Sequence, residues 1–563
     1  MKKQIIECVP NISEGRDQVI INAIASEVET IDGVKLLDVD PGKATNRTVI
    51  TFVGAPEDVI EAAFRLIKKA SELIDMSKHK GEHPRFGATD VCPLVPIANI
   101  SMEETVVFAH KLGKRVGEEL GISGYYYENA ANKEERRNLA NCRAGEYEGL
   151  AQKLTDPNWL PDFGPAAFIK AKTSGATAIS ARDFLVAYNI NLNTTSTRRA
   201  NAIAFDIRER GRIKREGDLV SGKIIKDSQG NPLNIPGSLK AVKGIGWYIE
   251  EYGIAQLSLN LTNISITPVH IAFDEACKKA EERGIRVTGS ELVGLVPLQA
   301  MLDAAKYFLR KQNRSVGVNE SELIKIAVKS LGLDDLKPFN PQERIIEYLL
   351  EEEDARPLVK MSLAAFAEET ASESPAPGGG SIAAYVGAVG ISLGTMVANL
   401  SAHKRGWDSR WQEFSDWAEK GMAYQEALLQ LVDEDTAAFN KIMDAFGLPK
   451  GSDDEKAARQ LAIQEATKYA TEVPFKVLET AFKSMEVMQA MADIGNPNSV
   501  TDAGVGALCA RTAIRGALLN VKINAAGLKD EAFAKDIVAR GNAIAEKAKV
   551  LEEEIMKLVE AKL

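Results

Sequence analysis

A chain of 563 residues is too long for a single hydrophobic core, so three or four domains are expected. Its 45% apolar and 26% charged residues are those of a soluble globular protein, and the net charge of −10 argues against nucleic-acid binding. Met1-Lys2-Lys3 leads into an apolar stretch too short for a secretory signal, and Cys8, Cys92, Cys142, Cys277 and Cys509 stand singly with no CxxC pair, which reads as a cytoplasmic protein with reduced, mostly buried thiols.

From Ile5 the pattern is a short strand (IIECV), a turn at Ser13-Glu14-Gly15 and an amphipathic helix over Val19 to Val28. VKLLDVD, ending at Asp40, and NRTVITFVG after Asn46 read as strands, and Pro56 opens a second helix with apolar residues at three- and four-residue spacing. The stretch from Asp75 to Pro96 then packs Lys78, His79, Lys80, Glu82, His83 and Arg85 around Gly81 and Pro84 before passing into an apolar, strand-like run. Because a residue before proline is pushed to extended geometry, His83 is expected on exposed, well-defined backbone. An imidazole there suits proton transfer, with Lys80 and Arg85 available for the carboxylates of an acidic substrate. A solvated polar loop with one surface histidine is the competing account. His79 and His83 have a metal-ligand spacing for a helix, but Gly81 and Pro84 argue against a helix and so against zinc.

Around Trp159 the sequence turns loop-like, with Gly164, Pro165 and Gly175 before a strand ending in FLVAYNINL, and a domain seam is expected near residue 182. ANAIAFDIRER reads as a helix, residues 212 to 236 as an irregular or hairpin excursion, LKAVKGIGWYIEEYGIAQLSLNLTN as strands and PVHIAFDEACKKAEERG as a helix. SELVGLVP at 290–297 echoes TDVCPLVP at 89–96, a hint of two related subdomains. Gly244-Ile245-Gly246 lacks a third glycine and lies between strands, which speaks against a dinucleotide site, and no Walker-type sequence occurs.

The run Glu351 to Asp354, closed by Arg356 and Pro357, reads as a linker, and beyond it the strands disappear. Helices are expected at 381–401, 409–446, 453–489, 500–525 and 529–562, an all-α bundle. The first is apolar all round and long enough for a membrane span. Gly387, Gly390, Gly394 and its many alanines fit a closely packed central helix better. Pro377-Gly378-Gly379-Gly380-Ser381 precedes it, where free backbone N–H groups suit an anion or polar ligand, unless this is a flexible entry with Ser381 as N-cap. On the next helix Leu428, Leu431, Val432, Ala438, Phe439 and Ile442 form one apolar stripe. Asp435 lies three or four residues from its neighbours on that stripe and is expected to face the core, with Asp433 more exposed. Desolvation would raise the Asp435 pKa into a range useful for acid–base work, while a paired structural aspartate explains the pattern equally well.

ECVPNISEG, LLDVD with TNRTV, IDMSKHKGEHPRFGATDVCP, CRAGEYEGL, PDFGP, KGIGWY, SELVGLVPL, PAPGGGS and LVDEDTAAF together resemble the formimidoyltransferase-cyclodeaminase family, the bifunctional folate enzymes of histidine breakdown, over essentially the whole chain. The resemblance implies a multidomain protein: a two-subdomain α/β (α+β) transferase half (1–182 and 183–349), a linker (350–357) and an all-α cyclodeaminase domain (358–563). It implies His83 as the transferase's proton shuttle and Asp435 as the deaminase's acid–base group. Folate-contacting stretches fall at Gly164 to Gly175, including Pro165 and Phe168, and at Gly237 to Gly246, including Lys240 and Gly244. Tetrahydrofolate is implied as co-substrate with N-formimidoyl-L-glutamate, with no metal or nucleotide. The smooth helices of the second half are expected to associate as a homo-oligomer. Two features, the 212–236 excursion and KAKTSG at 170–175, depart from shorter family members beside the folate stretches. A helical half acting as a cyclohydrolase or as a non-catalytic assembly module is the alternative.

Overall fold

The computed structural model describes residues 4–42, 46–80, 85–217, 222–350 and 356–563. They fall into two compact units, Met1–Ala300 with Gly332–Leu350, and Met301–Leu331 with Glu351–Leu563. The α/β first part and helical second part agree with the fold class read from the sequence.

In the first unit, strands β1 (Ile5–Cys8), β2 (Asn11–Ile12), β3 (Val34–Gly42), β4 (Arg47–Gly54), β5 (Thr89–Ala98), β6 (Ser123–Glu128) and β7 (Ala176–Ala181) form one sheet. The order is β1-β4-β2-β5-β7-β6, with β3 on β4. β7 runs parallel to β5 and β6, and the remaining pairs are antiparallel. Helices α1 (Gln18–Glu29), α2 (Pro56–Leu73) and α3 (Met102–Arg115) cover one face, where Ile6, Cys8, Ile24, Phe52, Ile60 and Leu94 are buried together. Each of the isoleucine, leucine and phenylalanine side chains stabilises the fold by roughly 1.5–3 kcal/mol. Asp17 caps α1, and Ser101 with Glu104 forms a capping box on α3. β7 lies inside the stretch that reads as loop. Its ATAISA sequence is buried at every position, and a strand covered on both faces lacks the alternation that marks a half-buried one.

The second sheet is antiparallel, built on β8 (Val186–Leu192). Among its described residues the excursion yields only two-residue strands, β9 (Arg212–Ile213), β10 (Arg215–Glu216), β11 (Lys223–Ile224) and β12 (Asn234–Ile235), paired β9–β12 and β10–β11. Then β13 (Val242–Ile249), β14 (Ile254–Leu261) and β15 (Val287–Val293) complete the order β13-β14-β8-β15. Helices α4 (Thr197–Ile207) and α5 (Val269–Glu281) belong to this sheet.

The second unit takes in most of α6 (Leu298–Lys311) and all of α7 (Glu320–Leu331). Its bundle is α8 (Gly379–Ala402), α9 (Trp411–Gly447), α10 (Asp453–Ile494), α11 (Val500–Ala525) and α12 (Glu531–Glu560). Lys306 pairs with Glu419 at 2.7 Å, and the Val316 N–H donates to Ser415 Oγ at 3.0 Å. α8 is long and apolar enough to cross a membrane, with a mean hydropathy of 1.6, but 61% of that window is buried within the unit. A Cβ on Gly390 would stand 2.7 Å from the Cys509 Cβ and 2.9 Å from the Gly506 carbonyl, so α8 and α11 touch at backbone distance.

Candidate functional site

His83 lies in 81–84, outside the described residues, but its neighbours define a setting. Lys80 is exposed, whereas Arg85 is buried. The Arg85 guanidinium donates to both carboxylate oxygens of Glu148 at 2.8 and 2.9 Å and to Glu146 at 3.1 Å. These hydrogen bonds, Glu148 foremost, raise the Arg85 pKa and lower that of Glu148. An incoming substrate carboxylate would therefore compete with two acids already in place. Arg85 Nε also donates to His79 Nδ1 at 3.3 Å, while His79 Nε2 lies 2.9 Å from the Asn46 carbonyl. That pattern fits a neutral ring protonated on Nε2, and burial lowers the His79 pKa. Lys80, Arg85, Gly145, Glu146 and Glu148 line a cleft of about 440 Å³. CRAGEYEGL, part of the resemblance but given no role from sequence, supplies the acids that hold Arg85.

The first folate stretch reaches this neighbourhood at one end. Tyr147 donates its backbone N–H to the Arg85 carbonyl and sets its ring 6.1 Å from that of Phe168. Gly175 has φ +67° and packs on Phe86, where a Cβ would come within 2.2 Å of the carbonyl oxygen; only glycine fits. Gly164 and Pro165 lie farther along, against Ile122 and Ser123, whose hydroxyl donates to the Pro165 carbonyl at 2.6 Å. The second stretch belongs to the other sheet. Gly237 abuts the Arg208 carbonyl, Lys240 is exposed beside Glu209, and Gly244 lies on Leu259. Gly246 exchanges two hydrogen bonds of 3.0 Å with the Asn201 amide.

Glu7 was not singled out from sequence. In the run Ile6-Glu7-Cys8 the flanking side chains enter the helix-covered core, so period-two alternation turns Glu7 to the opposite face. There it opens, 6% exposed, onto a cavity of about 480 Å³ lined from both sheets by residues including Thr51, Ala187 and Val293, with Arg182 and Arg344 also present. Burial pushes its pKa up to about 7 against the pull of Arg182. An acid interrupting an apolar strand was the available signal.

In the helical unit, Asp435 of α9 is half-buried over the start of α8. A Cβ on Gly380 would stand 2.2 Å from Asp435 Oδ1. Ser381 Oγ lies 3.3 Å from Asp435 Oδ2, 2.8 Å from the Val432 carbonyl and 3.2 Å from Thr436 Oγ1. Burial raises the Asp435 pKa, and hydrogen bonds from the Ser381 hydroxyl and backbone pull it partly back. No cation pairs with it among the described residues, so the anion at this glycine-rich helix start is the protein's own carboxylate. Gly378 is the N-cap of α8, with Gly379 beside Asn520 of α11, so Ser381 sits inside the first turn rather than capping it.

Two expectations on α9 are corrected. Asp433 is the buried aspartate, because Leu358 and Val359 fold over it and donate backbone N–H groups to its carboxylate at 2.8 and 3.4 Å. Phe439, assigned to the apolar stripe, is 37% exposed, since the contacts end on that side of the helix.

Residues 5–182 match the family model described as formiminotransferase domain, N-terminal subdomain, residues 187–351 that for formiminotransferase domain, and 362–543 that for formiminotransferase-cyclodeaminase. A formimidoyltransferase-cyclodeaminase of Gallus gallus is 44% identical over 547 residues, covering 97% of both chains. A glutamate formimidoyltransferase of Thermoplasma acidophilum is 43% identical over 308 residues, 54% of this chain and 92% of its own length. A methenyltetrahydrofolate cyclohydrolase of Methylorubrum extorquens is 38% identical over 198 residues, 35% of this chain and 95% of its own. On full-length similarity, with a transferase-like first half and a helical second half joined in the same order, the chain belongs to the formimidoyltransferase-cyclodeaminase family.

Proposed function

We propose that the first half transfers the formimidoyl group of N-formimidoyl-L-glutamate to N5 of tetrahydrofolate, and that the helical half closes 5-formimidoyltetrahydrofolate to 5,10-methenyltetrahydrofolate with release of ammonia, a step of histidine degradation that feeds one-carbon metabolism. The observation that carries the second activity is Asp435, a carboxyl of raised pKa held over the glycine turn of α8. N10 attacks the formimidoyl carbon, the tetrahedral carbon then bears an amino group, and Asp435 gives it the proton with which it leaves as ammonia. The Gly378, Gly379, Gly380 and Ser381 backbone forms the floor against which folate would lie. In the transferase, N5 attacks the same carbon, and His83 takes the N5 proton and returns it to the departing glutamate nitrogen. Folate contacts are assigned to the Gly164–Gly175 and Gly237–Gly246 stretches, and substrate carboxylates to Lys80 and Arg85.

The domains are taken as 1–182, 183–349, a linker at 350–357 and 358–563. Val505, Leu508, Leu519 and Ile523 of α11 are exposed, which supports a homo-oligomer, and the scattered cysteines support a cytoplasmic setting. A second reading, favoured by the cyclohydrolase relative, has the helical half hydrolysing a methenyl folate instead. The test supplies N-formimidoyl-L-glutamate and tetrahydrofolate and follows glutamate, ammonia and methenyltetrahydrofolate. Glutamate release without ammonia contradicts the cyclodeaminase reading, and no glutamate release contradicts the transferase one.

A further inference from the structure

The 212–236 excursion has no part in the chemistry above, yet with α4 it walls a cavity of about 540 Å³. Arg198 and Arg208 come from α4 and the residue following it, and Arg212 and Arg215 from β9 and β10. Among the described residues no acid lines it, and Phe205 and Ile213 give it an apolar wall. Asp206 of α4 is engaged by Arg212 and Arg283. Arg208 is fixed by donating to the Gly211 and Gly244 carbonyls and lies over the Phe205 ring at 3.9 Å. Burial and the charge of Arg210 lower its pKa. Arg215 donates to the Gly222 carbonyl, and Arg198 has no hydrogen-bond or ion-pair partner among the described residues. The Arg212 side chain is 10% exposed, and its buried Nε–H has no acceptor among the described residues. A buried donor without a partner, beside three guanidiniums with no carboxylate partner among the described residues, is unfavourable in an empty cavity and favourable around an oxyanion.

We propose that this cavity is a binding site for a small organic anion carrying phosphate or carboxylate groups on a short apolar body, with Arg198, Arg212 and Arg215 holding the anionic groups and Phe205 the body. The excursion thereby acquires a role, since it contributes half of the arginines. Calorimetric titration of the full-length protein with pyrophosphate and, separately, with citrate tests this. At least one probe is expected to bind saturably, once per chain, with affinity falling by roughly tenfold or more in Arg198→Ala/Arg215→Ala. Arg198 is exposed and Arg215 partly so, and unchanged melting of the variant verifies its fold. Lys223→Ala, which removes a nearby cation that does not line the cavity, should leave binding intact. Absence of saturable binding by either probe, undiminished binding by the double variant, or an equal loss in Lys223→Ala would overturn the proposal. Displacement of the bound probe by saturating tetrahydrofolate assigns the site to folate's own carboxylates, and retention assigns it to a free anion.

Discussion

Asp435 Oδ1 lies 2.2 Å from where a Cβ on Gly380 would stand, so the carboxylate of α9 rests on the first turn of α8 only because position 380 carries no side chain. Gly380→Ala is therefore expected to push Asp435 out of place and lower ammonia release by about tenfold or more, equivalent to roughly 1.4 kcal/mol of barrier. Alanine also favours the helix by about 1 kcal/mol, so the bundle should survive. Ammonia release from supplied 5-formimidoyltetrahydrofolate, measured beside thermal melting, checks this; normal release speaks against the geometry.

Arg85 makes its two hydrogen bonds to Glu148 through a planar fork that lysine lacks. The acids are partly exposed but Arg85 is buried, so Arg85→Lys should lower stability by roughly 1–3 kcal/mol. Formimidoyl transfer should fall while ammonia release from supplied intermediate stays normal. Equal loss of both activities would point to general misfolding instead.

His83→Ala should abolish glutamate release from N-formimidoyl-L-glutamate and leave cyclisation of supplied intermediate intact. A variant that still transfers at near-normal rate removes His83 from the mechanism.

Glu7 supplies a pH signature. Its folded pKa, about 7, lies above the ordinary 4.5, so its contribution to stability is fully present below pH 4.5 and lost as pH rises through 7. The full difference corresponds to about 3 kcal/mol. Glu7→Gln should thus be more stable than the parent at pH 8 and close to it at pH 4.5. Equal melting differences at the two pH values would contradict a raised Glu7 pKa.

The bundle was legible because long helices repeat their apolar residues many times, and the expected boundaries fall within two residues of the observed ones except at the end of α10, which runs to Ile494. Relations between distant segments were not. The charges around Arg85 were visible, but nothing local pairs Arg85 with Glu148, sixty-three residues on. The helical wheel of α9 gave Asp433 and Asp435 their angles but not the segment at Leu358 that buries the first of them. Glu7 broke the pattern of its strand visibly, yet its meaning depends on a second sheet that a single strand cannot reveal.

On the proposed reading Asp435 is a working acid rather than a structural one. Asp435→Asn keeps its shape, and an acid form stabilised by burial predicts that ammonia release in the parent declines as pH rises through the raised pKa. A structural aspartate in a buried pair would instead cost roughly 3–5 kcal/mol when its partner is stranded. The most direct measurement is ammonia release and thermal melting on one sample of Asp435→Asn. Unchanged melting with no ammonia release and accumulating 5-formimidoyltetrahydrofolate is the predicted result, and a lowered melting point with normal turnover per folded molecule would contradict it.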